Sequence, residues 1–286
     1  MRSFTRHLAV TATALGTLCA GLVSAAPAGA VAAGQTVNVL VRRDHSVVMP
    51  GSIRPGLTNF RITSRRAATF QILEPAPGYA PREAIRDANA AFTKNNIKAL
   101  RRFEANTTLL GGLSTRRNKP GTLSVKLPTG RYWALDVSPR VLKAANAVGL
   151  QVTGTSVGGR NSGRVIRAVD DTKWGKLTPS IPTRGRIWFQ NRSTENHFLV
   201  AAMLAKGKTM KDFRAWIRQA KQGKQTPPPL VMTGGLDTGV ISPGKSMSFD
   251  YRLPRGNYVL MCFWPDADMG GTPHVLMGMY RGLRVG

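Results

Sequence analysis

Short, largely apolar stretches recur along the chain and predict β-strands. In the first half they are TVNVLV, NFRIT, TLSVKL and YWALDV, and in the second half RIWFQN, FLVAAML, MSFDYRL and YVLMCF. Each is rich in β-branched and aromatic residues and is bounded by proline or glycine, which is typical of strands in a sandwich. The pattern predicts an all-β protein built of β-sandwiches.

Two segments carry apolar residues at helical spacing instead. PREAIRDANAAFTKNNIKALRRF places Ile85, Ala88 and Phe92 on one face, and TMKDFRAWIRQA has a comparable face. Thr209 and Asp212 have the spacing of a capping box at the start of the second segment. Each half is therefore expected to contain a helical insertion with a core-facing apolar stripe, which in the second half comprises Phe213, Trp216, Ile217 and Ala220.

The two halves resemble one another in the order of these elements. Residues 60–78 align without a gap over residues 189–207, with phenylalanine and glycine coinciding at the two ends. Further on, Leu127-Pro128 aligns with Leu253-Pro254, and Tyr132 with Tyr258. This pattern predicts a duplicated chain with two tandem antiparallel sandwiches. A single sheet continuous through both halves would remove this argument for duplication.

The N-terminal segment has the features of a secretory signal. Arg2 and Arg6 precede an apolar run, and Ala28-Gly29-Ala30 supplies small residues for cleavage. The run is short for a membrane anchor, the alternative interpretation. We expect a signal peptide over 1–30, a first domain over 36–137, a linker over 138–163 rich in Gly, Asn and Ser at its end, and a second domain over 164–286. The mature protein is expected to be secreted, with no transmembrane segment.

The charge of the chain is strongly positive. There are 41 Lys and Arg residues against 14 Asp and Glu, a net charge of +27, or about +25 after loss of Arg2 and Arg6. A cationic surface favours polyanions. The arginines come as scattered pairs, and none of the familiar nucleic-acid-binding motifs is present, so no specific nucleic acid is expected. An anionic cell-envelope polymer is the candidate partner that this charge indicates.

Cysteine and histidine are concentrated near the C-terminus, in YVLMCFWPDADMGGTPHVLMGM. Cys19 would leave with the signal, so Cys262 is the sole cysteine of the mature chain and cannot form an internal disulfide. It is a buried small residue, a reactive thiol or a metal ligand. A Cys262–His274 nucleophilic pair is conceivable, but the sequence offers no other catalytic arrangement, and we expect no enzyme.

Three segments of the second half resemble the cupredoxin family of blue copper proteins. GNYVLMC resembles the strand that delivers the cysteine ligand, PHVLMGM the segment with the second histidine and the methionine, and FQNRSTENH the strand that ends in the first histidine. The resemblance implies tandem Greek-key β-sandwiches and one copper ion. The implied equatorial ligands are His197, Cys262 and His274, and the implied axial ligand is Met279.

The chain departs from the family in its long cysteine-to-histidine loop, FWPDADMGGTP. Asp266, Asp268, Gly270 and Gly271 are typical of a turn that could fold this loop back. With a loop of this length, Met269 or Met277 could replace Met279.

The first half lacks the candidate ligands. Ala68 aligns with His197 and Asp136 with Cys262, so we expect no copper there, and we expect His45 in a surface loop. The His-x-His pairs of multicopper enzymes are absent, which disfavours an oxidase.

Two functional hypotheses follow from the sequence. The first is a secreted copper-binding protein that acts in electron transfer or copper handling, together with a redox partner protein. The alternative is a metal-free cupredoxin-like module that binds anionic cell-envelope polymers.

Overall fold

The computed structural model describes residues 34–286, and the predicted signal peptide lies outside the described residues. Strands dominate this part of the chain. Those of the first half are β1 (Gln35–Val41), β2 (Val47–Val48), β3 (Ser52–Ile53), β4 (Gly56–Ser64), β5 (Ala68–Pro75), β6 (Thr107–Thr115), β7 (Gly121–Leu127), β8 (Gly130–Asp136) and β9 (Val148–Val152).

The strands of the second half follow the same order along the chain. They are β10 (Arg164–Asp170), β11 (Lys173–Trp174), β12 (Ser180–Ile181), β13 (Arg184–Asn191), β14 (Val200–Leu204), β15 (Leu230–Asp237), β16 (Ser246–Arg252), β17 (Gly256–Met261), β18 (Pro265–Asp266), β19 (Thr272–Pro273) and β20 (Tyr280–Val285). The helices are α1 (Pro81–Lys94), α2 (Ile97–Asn106), α3 (Met210–Lys221) and α4 (His274–Met277), with a short 3₁₀ turn over Ala144–Asn146.

The sheets confirm the all-β sandwich architecture. One five-stranded sheet belongs to the first half, in the order β3-β9-β8-β5-β6, and another to the second half, in the order β12-β20-β17-β14-β15. An eight-stranded sheet, β11-β10-β13-β16-β7-β4-β1-β2, provides the second layer for both. Large apolar side chains such as Phe60, Phe70, Phe189 and Phe249 are fully buried in the core.

The prediction of separate sheets in the two halves is wrong. β7 and β16 pair antiparallel, with Leu123 opposite Phe249 and Ser124 opposite Ser248, and thereby join the halves into one sheet. Each of these strands would otherwise be an edge with unpaired backbone groups, and their pairing satisfies both edges at once. This shared sheet removes the argument for duplication that rested on two separate sandwiches.

The pairing pattern nevertheless repeats between the halves. β1 pairs with β4 and β10 pairs with β13, both in parallel, so the prediction of purely antiparallel sandwiches is also wrong. The hydroxyls of Tyr132 and Tyr258 donate to the carbonyl oxygens of Pro128 and Pro254, both at 3.0 Å, fixing the same turn in each half. Duplication therefore stays a prediction, supported by topology and opposed by the shared sheet.

The predicted linker is partly structured. β9, within residues 138–163, pairs antiparallel with β8, and its Leu150 and Val152 are fully buried. The linker prediction is corrected accordingly. Leu150 and Val152 alternate with exposed or half-buried neighbours, so this stretch carries a strand pattern although it lacks aromatic residues.

The first helical insertion consists of two helices rather than one. α1 ends at Lys94, and the C-cap residue Asn95 adopts a left-handed conformation with φ of 51°. Asn96 then caps α2, its side chain accepting a hydrogen bond from the Ala99 backbone N–H at 3.0 Å. Asparagine tolerates the left-handed region and is a favoured N-cap residue, so the Asn95-Asn96 pair breaks the helix.

The predicted core-facing stripes of the helices are confirmed in part, since Trp216 and Ala220 of α3 are only half-buried. Ile85 and Ala88 are buried, but Phe92 is 46% exposed. Thr209 and Asp212 form the predicted capping box of α3. Phe213 and Ile217 of α3 are buried and pack in a small cluster on the outer face of the second five-stranded sheet. No helix in residues 34–286 has the length and apolar character needed to cross a membrane.

Candidate metal centre

Three backbone segments bring His197, Cys262 and His274 together at one end of the second sandwich. His197 follows β13, and its backbone exchanges two hydrogen bonds with Ile241, at 2.8 and 3.1 Å. Cys262 follows β17 directly, and its N–H donates to the carbonyl oxygen of Met279 at 3.3 Å. His274 is the first residue of α4. Each of these side chains is thus fixed by ordered backbone on both sides.

The long cysteine-to-histidine loop folds back as the sequence suggests. β18 and β19 pair antiparallel, closing the loop into a small hairpin. At its turn, Asp266 Oδ1 accepts hydrogen bonds from the backbone N–H groups of Asp268 and Met269, at 2.7 and 2.9 Å. The His274 N–H donates to the Trp264 carbonyl oxygen at 2.9 Å. The loop therefore returns His274 to Cys262 despite its length.

The three donor atoms form a compact triangle. His197 Nδ1 lies 3.6 Å from Cys262 Sγ and 3.2 Å from His274 Nδ1, and His274 Nδ1 lies 3.8 Å from Cys262 Sγ. A point equidistant from the three atoms lies about 2.1 Å from each, within the roughly 2.0–2.3 Å range of metal bonds to imidazole nitrogen and thiolate. The triangle fits a metal ion without movement of the backbone.

Burial sets the protonation state of these ligands. All three side chains are fully buried. Burial, together with the neighbouring His274, lowers the pKa of His197 to about 3. Burial also lowers the pKa of His274 to about 4, against the opposing effect of Asp266 and Asp171. Both imidazoles are therefore neutral at physiological pH, as metal ligation requires. Burial raises the pKa of the Cys262 thiol to about 12, so metal binding must displace its proton.

Ser193 orients the first histidine. Its hydroxyl donates to Asn191 Oδ1 at 2.8 Å, and its oxygen lies 2.7 Å from His197 Nε2, where it can accept the ring N–H. That arrangement places the His197 proton on Nε2 and directs the Nδ1 lone pair into the triangle. The sequence analysis did not identify Ser193, although its position among the polar residues just before His197 could have suggested such a role.

Met279 is the methionine that the structure places beside these ligands. It is fully buried, and its N–H donates to the His274 carbonyl oxygen at 2.9 Å while its own carbonyl accepts from Cys262. Gly278, with φ of 118°, ends α4 and redirects the chain towards Met279. Met269 is 57% exposed on the loop, and Met277 is half-buried on α4. Met279 remains our proposed axial ligand.

The first-half helices pack against the loop between Cys262 and His274, which we name the copper loop. The sequence did not reveal this contact. The Trp264 indole N–H donates to Glu104 Oε1 at 2.6 Å, and the Trp264 ring packs edge-on against Phe92 with centroids 5.3 Å apart. Arg101 Nη2 donates to the Ala267 carbonyl oxygen and to Asp268 Oδ1, at 3.2 and 3.0 Å. These contacts brace the hairpin from outside the second sandwich.

The corresponding end of the first sandwich is closed by a hydrogen bond between His45 and Asp136. The Asp136 carboxylate is completely buried and lies 2.7 Å from His45 Nδ1, while Arg66 lies 2.6 Å from His45 Nε2. His45 is in the loop between β1 and β2, as predicted, but its ring is only 18% exposed and is held by these partners, which corrects the expectation of a surface position. The sequence alignment of Asp136 with Cys262 agrees with their places at the ends of β8 and β17.

Comparison with known proteins gives similar folds among solved structures. No protein-family model and no curated sequence matches the chain. Reduced auracyanin from Roseiflexus castenholzii is similar over 43% of this chain and 94% of its own, at 17% identity and a TM-score of 0.27. Auracyanin A from Chloroflexus aurantiacus, described as a "blue" copper protein, covers 43% of this chain and 96% of its own, at 12% identity and a TM-score of 0.27.

A multicopper oxidase is similar over more of the chain. The match covers 88% of each protein at 11% identity and a TM-score of 0.25. The metal assignment for this chain nevertheless rests on its own residues, namely the separations, burial and chemistry of His197, Cys262 and His274.

Proposed function

We propose that this protein binds one copper ion through His197, Cys262, His274 and Met279 and acts in electron transfer. The convergence of two neutral imidazoles and one thiol within 3.8 Å of one another carries the proposal. A nitrogen and sulfur donor set of this kind suits copper in both of its oxidation states, and the bound ion would supply one-electron redox chemistry.

The chain's own residues provide the conditions for that chemistry. Ile241, Trp264 and Met279 fix the backbones of the three ligands, so the donor set is preorganised. Ser193 holds the His197 ring, and full burial of the donors excludes water from them. A rigid, dry site changes little between oxidation states, which keeps the reorganisation accompanying electron transfer small.

We propose a carrier rather than an oxidase. The sequence holds 4 histidines, of which His7 lies in the predicted signal. Two of the others are in the triangle, and His45 is engaged by Asp136 and Arg66. Apart from His7 in the predicted signal, no histidine of the sequence is therefore left to build a second copper cluster. A redox partner protein and secretion of the mature chain belong to the same proposal.

Titration with Cu(II) tests the proposal directly. We expect one equivalent to bind, an intense thiolate-to-copper absorption to develop, and the melting temperature to rise. Because the Cys262 thiol is protonated before binding, about one proton per copper should be released in weakly buffered solution at neutral pH. Absence of the absorption together with an unchanged melting temperature would favour the metal-free alternative.

Replacement of the proposed axial ligand should change the reduction potential of the bound copper without preventing copper binding. We expect Met279→Gln to retain copper and to lower its reduction potential, because an amide oxygen stabilises Cu(II) more than a thioether does. Met269→Gln is the matched control, because Met269 is exposed on the loop between Cys262 and His274. The reduction potential of copper in this variant should stay near that of the wild type. Equal shifts in the two variants, measured by voltammetry, would contradict an axial role for Met279.

We also propose that the positive surface binds an anionic cell-envelope polymer. The net charge of +27 supports this, and such binding should be electrostatic and long-ranged. Retention on purified envelope polymer should fall steeply as salt rises through the physiological range, where the screening length shrinks to about 8 Å. Retention that does not respond to salt would point to a shaped pocket instead.

A further inference from the structure

The first half contains a half-enclosed cavity between α1 and its five-stranded sheet. The cavity measures about 220 Å³. Ile85, Ala88 and Phe92 of α1 line one side, Leu135 of β8 lines the sheet side, and Trp264 from the copper loop closes one flank. We name it the α1 cavity. Its wall is almost entirely apolar. It includes Phe92, which the helical pattern predicted to be buried and which is exposed.

The polar groups within the α1 cavity are already satisfied by the protein. Asn89 donates to the Leu142 carbonyl oxygen and accepts from the Leu142 N–H, at 2.9 and 2.8 Å. Gln71 Oε1 accepts from the Val240 N–H at 2.7 Å, and its Nε2, with two N–H groups, lies within hydrogen-bond distance of the carbonyl oxygens of Ile72, Gly111 and Val240. Neither amide needs a ligand or a water molecule. An occupant would therefore gain mainly apolar contact inside the cavity.

Arg140 is the exception among the residues that line the α1 cavity. It is exposed, and within residues 34–286 its guanidinium has neither a hydrogen bond nor an ion pair. A guanidinium fits the planar fork of a carboxylate. The cavity thus combines an apolar interior with one free, permanently positive group among its lining side chains.

We propose that the α1 cavity binds a small monocarboxylate with an apolar, ring-sized body. An apolar cavity of about 150 Å³ is large enough to take up benzene, so 220 Å³ has room for a ring and a few further carbon atoms. The body of the ligand lies between α1 and the sheet, and its carboxylate pairs with Arg140. The ligand also contacts Trp264, whose indole N–H is held by Glu104.

This site uses none of the proposed copper ligands, so it goes beyond the electron-transfer function and can be tested in the metal-free protein. Calorimetric titration with 3-phenylpropanoate, and with the neutral 3-phenylpropan-1-ol for comparison, should show saturable binding of one equivalent. Tryptophan fluorescence should change in parallel, because the ligand lies against Trp264. Absence of saturable carboxylate binding at millimolar concentrations would overturn the proposal.

One variant tests recognition of the carboxylate by Arg140, and a second tests binding of the apolar body within the cavity. Arg140→Gln should weaken 3-phenylpropanoate binding about threefold to fivefold, as expected for loss of one exposed ion pair, and leave binding of the alcohol nearly unchanged. Arg160→Gln is the matched control, since Arg160 is also exposed and lies outside the cavity. If Arg140→Gln and Arg160→Gln bind the carboxylate alike, the assignment of a carboxylate ligand is wrong.

Ala88→Leu fills the cavity from the α1 side and should abolish binding of both compounds. Circular dichroism and the melting temperature establish whether this variant folds. A folded Ala88→Leu protein that still binds 3-phenylpropanoate would overturn the location of the site. If the variant does not fold, the comparison of Arg140→Gln with Arg160→Gln, together with the Trp264 signal, decides the outcome.

Discussion

Cys262→Ser is expected to abolish the thiolate-to-copper absorption and to weaken copper binding by more than about a hundredfold. Loss of one hydrogen bond to a metal ligand weakens metal binding by up to about a hundredfold, and loss of the ligand itself should weaken it more. A serine hydroxyl is a far weaker donor to copper than a thiolate, and two imidazoles alone would leave the triangle incomplete. Absorption spectroscopy and competition with a chelator of known affinity measure the two effects.

The fold should survive this substitution. Asp136 stands at the corresponding strand end of the first half, where a buried polar group is accommodated by Thr69, Ser138 and His45. At position 262 the serine hydroxyl would be buried beside two histidines that can form a hydrogen bond with it. We therefore expect the free energy of unfolding of the metal-free protein to fall by about 1–3 kcal/mol at most.

Phe263→Ser is the matched control for Cys262→Ser. It introduces the same residue at the adjacent position, where the side chain is 37% exposed, and should retain both the absorption and the affinity. A Cys262→Ser protein that keeps the intense absorption would show that the thiol is not a ligand. Loss of absorption in Phe263→Ser as well would indicate that the loop, rather than the ligand, had been disturbed.

The second large effect is a loss of stability in mild acid by the metal-free protein. Burial lowers the pKa values of His197 and His274 to about 3 and about 4, whereas both histidines titrate near 6.5 in the unfolded chain. Below pH 6.5 the unfolded state therefore binds protons that the folded state cannot. The stability from these neutral histidines is present above pH 6.5 and is lost as the pH falls towards 4.

The size of this effect follows from proton linkage. When both histidines are protonated in the unfolded chain and neutral in the folded one, the free energy of unfolding falls by up to about 2.7 kcal/mol per pH unit. Urea unfolding between pH 7 and pH 4.5 measures the slope. His274→Asn should reduce it by up to about 1.4 kcal/mol per pH unit, and His45→Gln, which removes the histidine of the first half, serves as the comparison.

Ring resonances of the two histidines provide a direct check on this prediction. In the folded metal-free protein, neither His197 nor His274 should titrate above about pH 5 by NMR. If unfolding free energies are flat from pH 6.5 to 4.5, or if both rings titrate near 6.5, the burial that the structure assigns to them is contradicted. This check also applies should His274→Asn fail to fold.

Much of the fold was accessible from the sequence because the responsible interactions are local. The strands of both halves follow from short apolar segments bounded by turn residues, and the capping box of α3 follows from the spacing of Thr209 and Asp212. The break between α1 and α2 was missed although Asn95-Asn96 signals it. β9 was missed because the absence of aromatic residues obscured the pattern at Leu150 and Val152.

The sequence also identified the candidate ligands, through the resemblance of three segments to the cupredoxin family. That resemblance implied His197, Cys262 and His274 as ligands, and the structure places their donor atoms within 3.8 Å of one another. Ser193 was missed because its role depends on the position of the His197 ring. The position of that ring depends on the folded chain, so the residue type of Ser193 alone does not indicate the contact.

By itself, the sequence determined that this protein is built from β-strands and contains one candidate set of soft metal ligands, since secondary-structure pattern and ligand chemistry are both carried by individual residues. Only the tertiary structure decided that β7 and β16 join the halves into one sheet, that the first-half helices brace the copper loop through Trp264, and that His45 closes the first sandwich with Asp136. Each of these features depends on surfaces from segments far apart in the chain, and which of many compatible edges and faces meet is settled by their simultaneous packing.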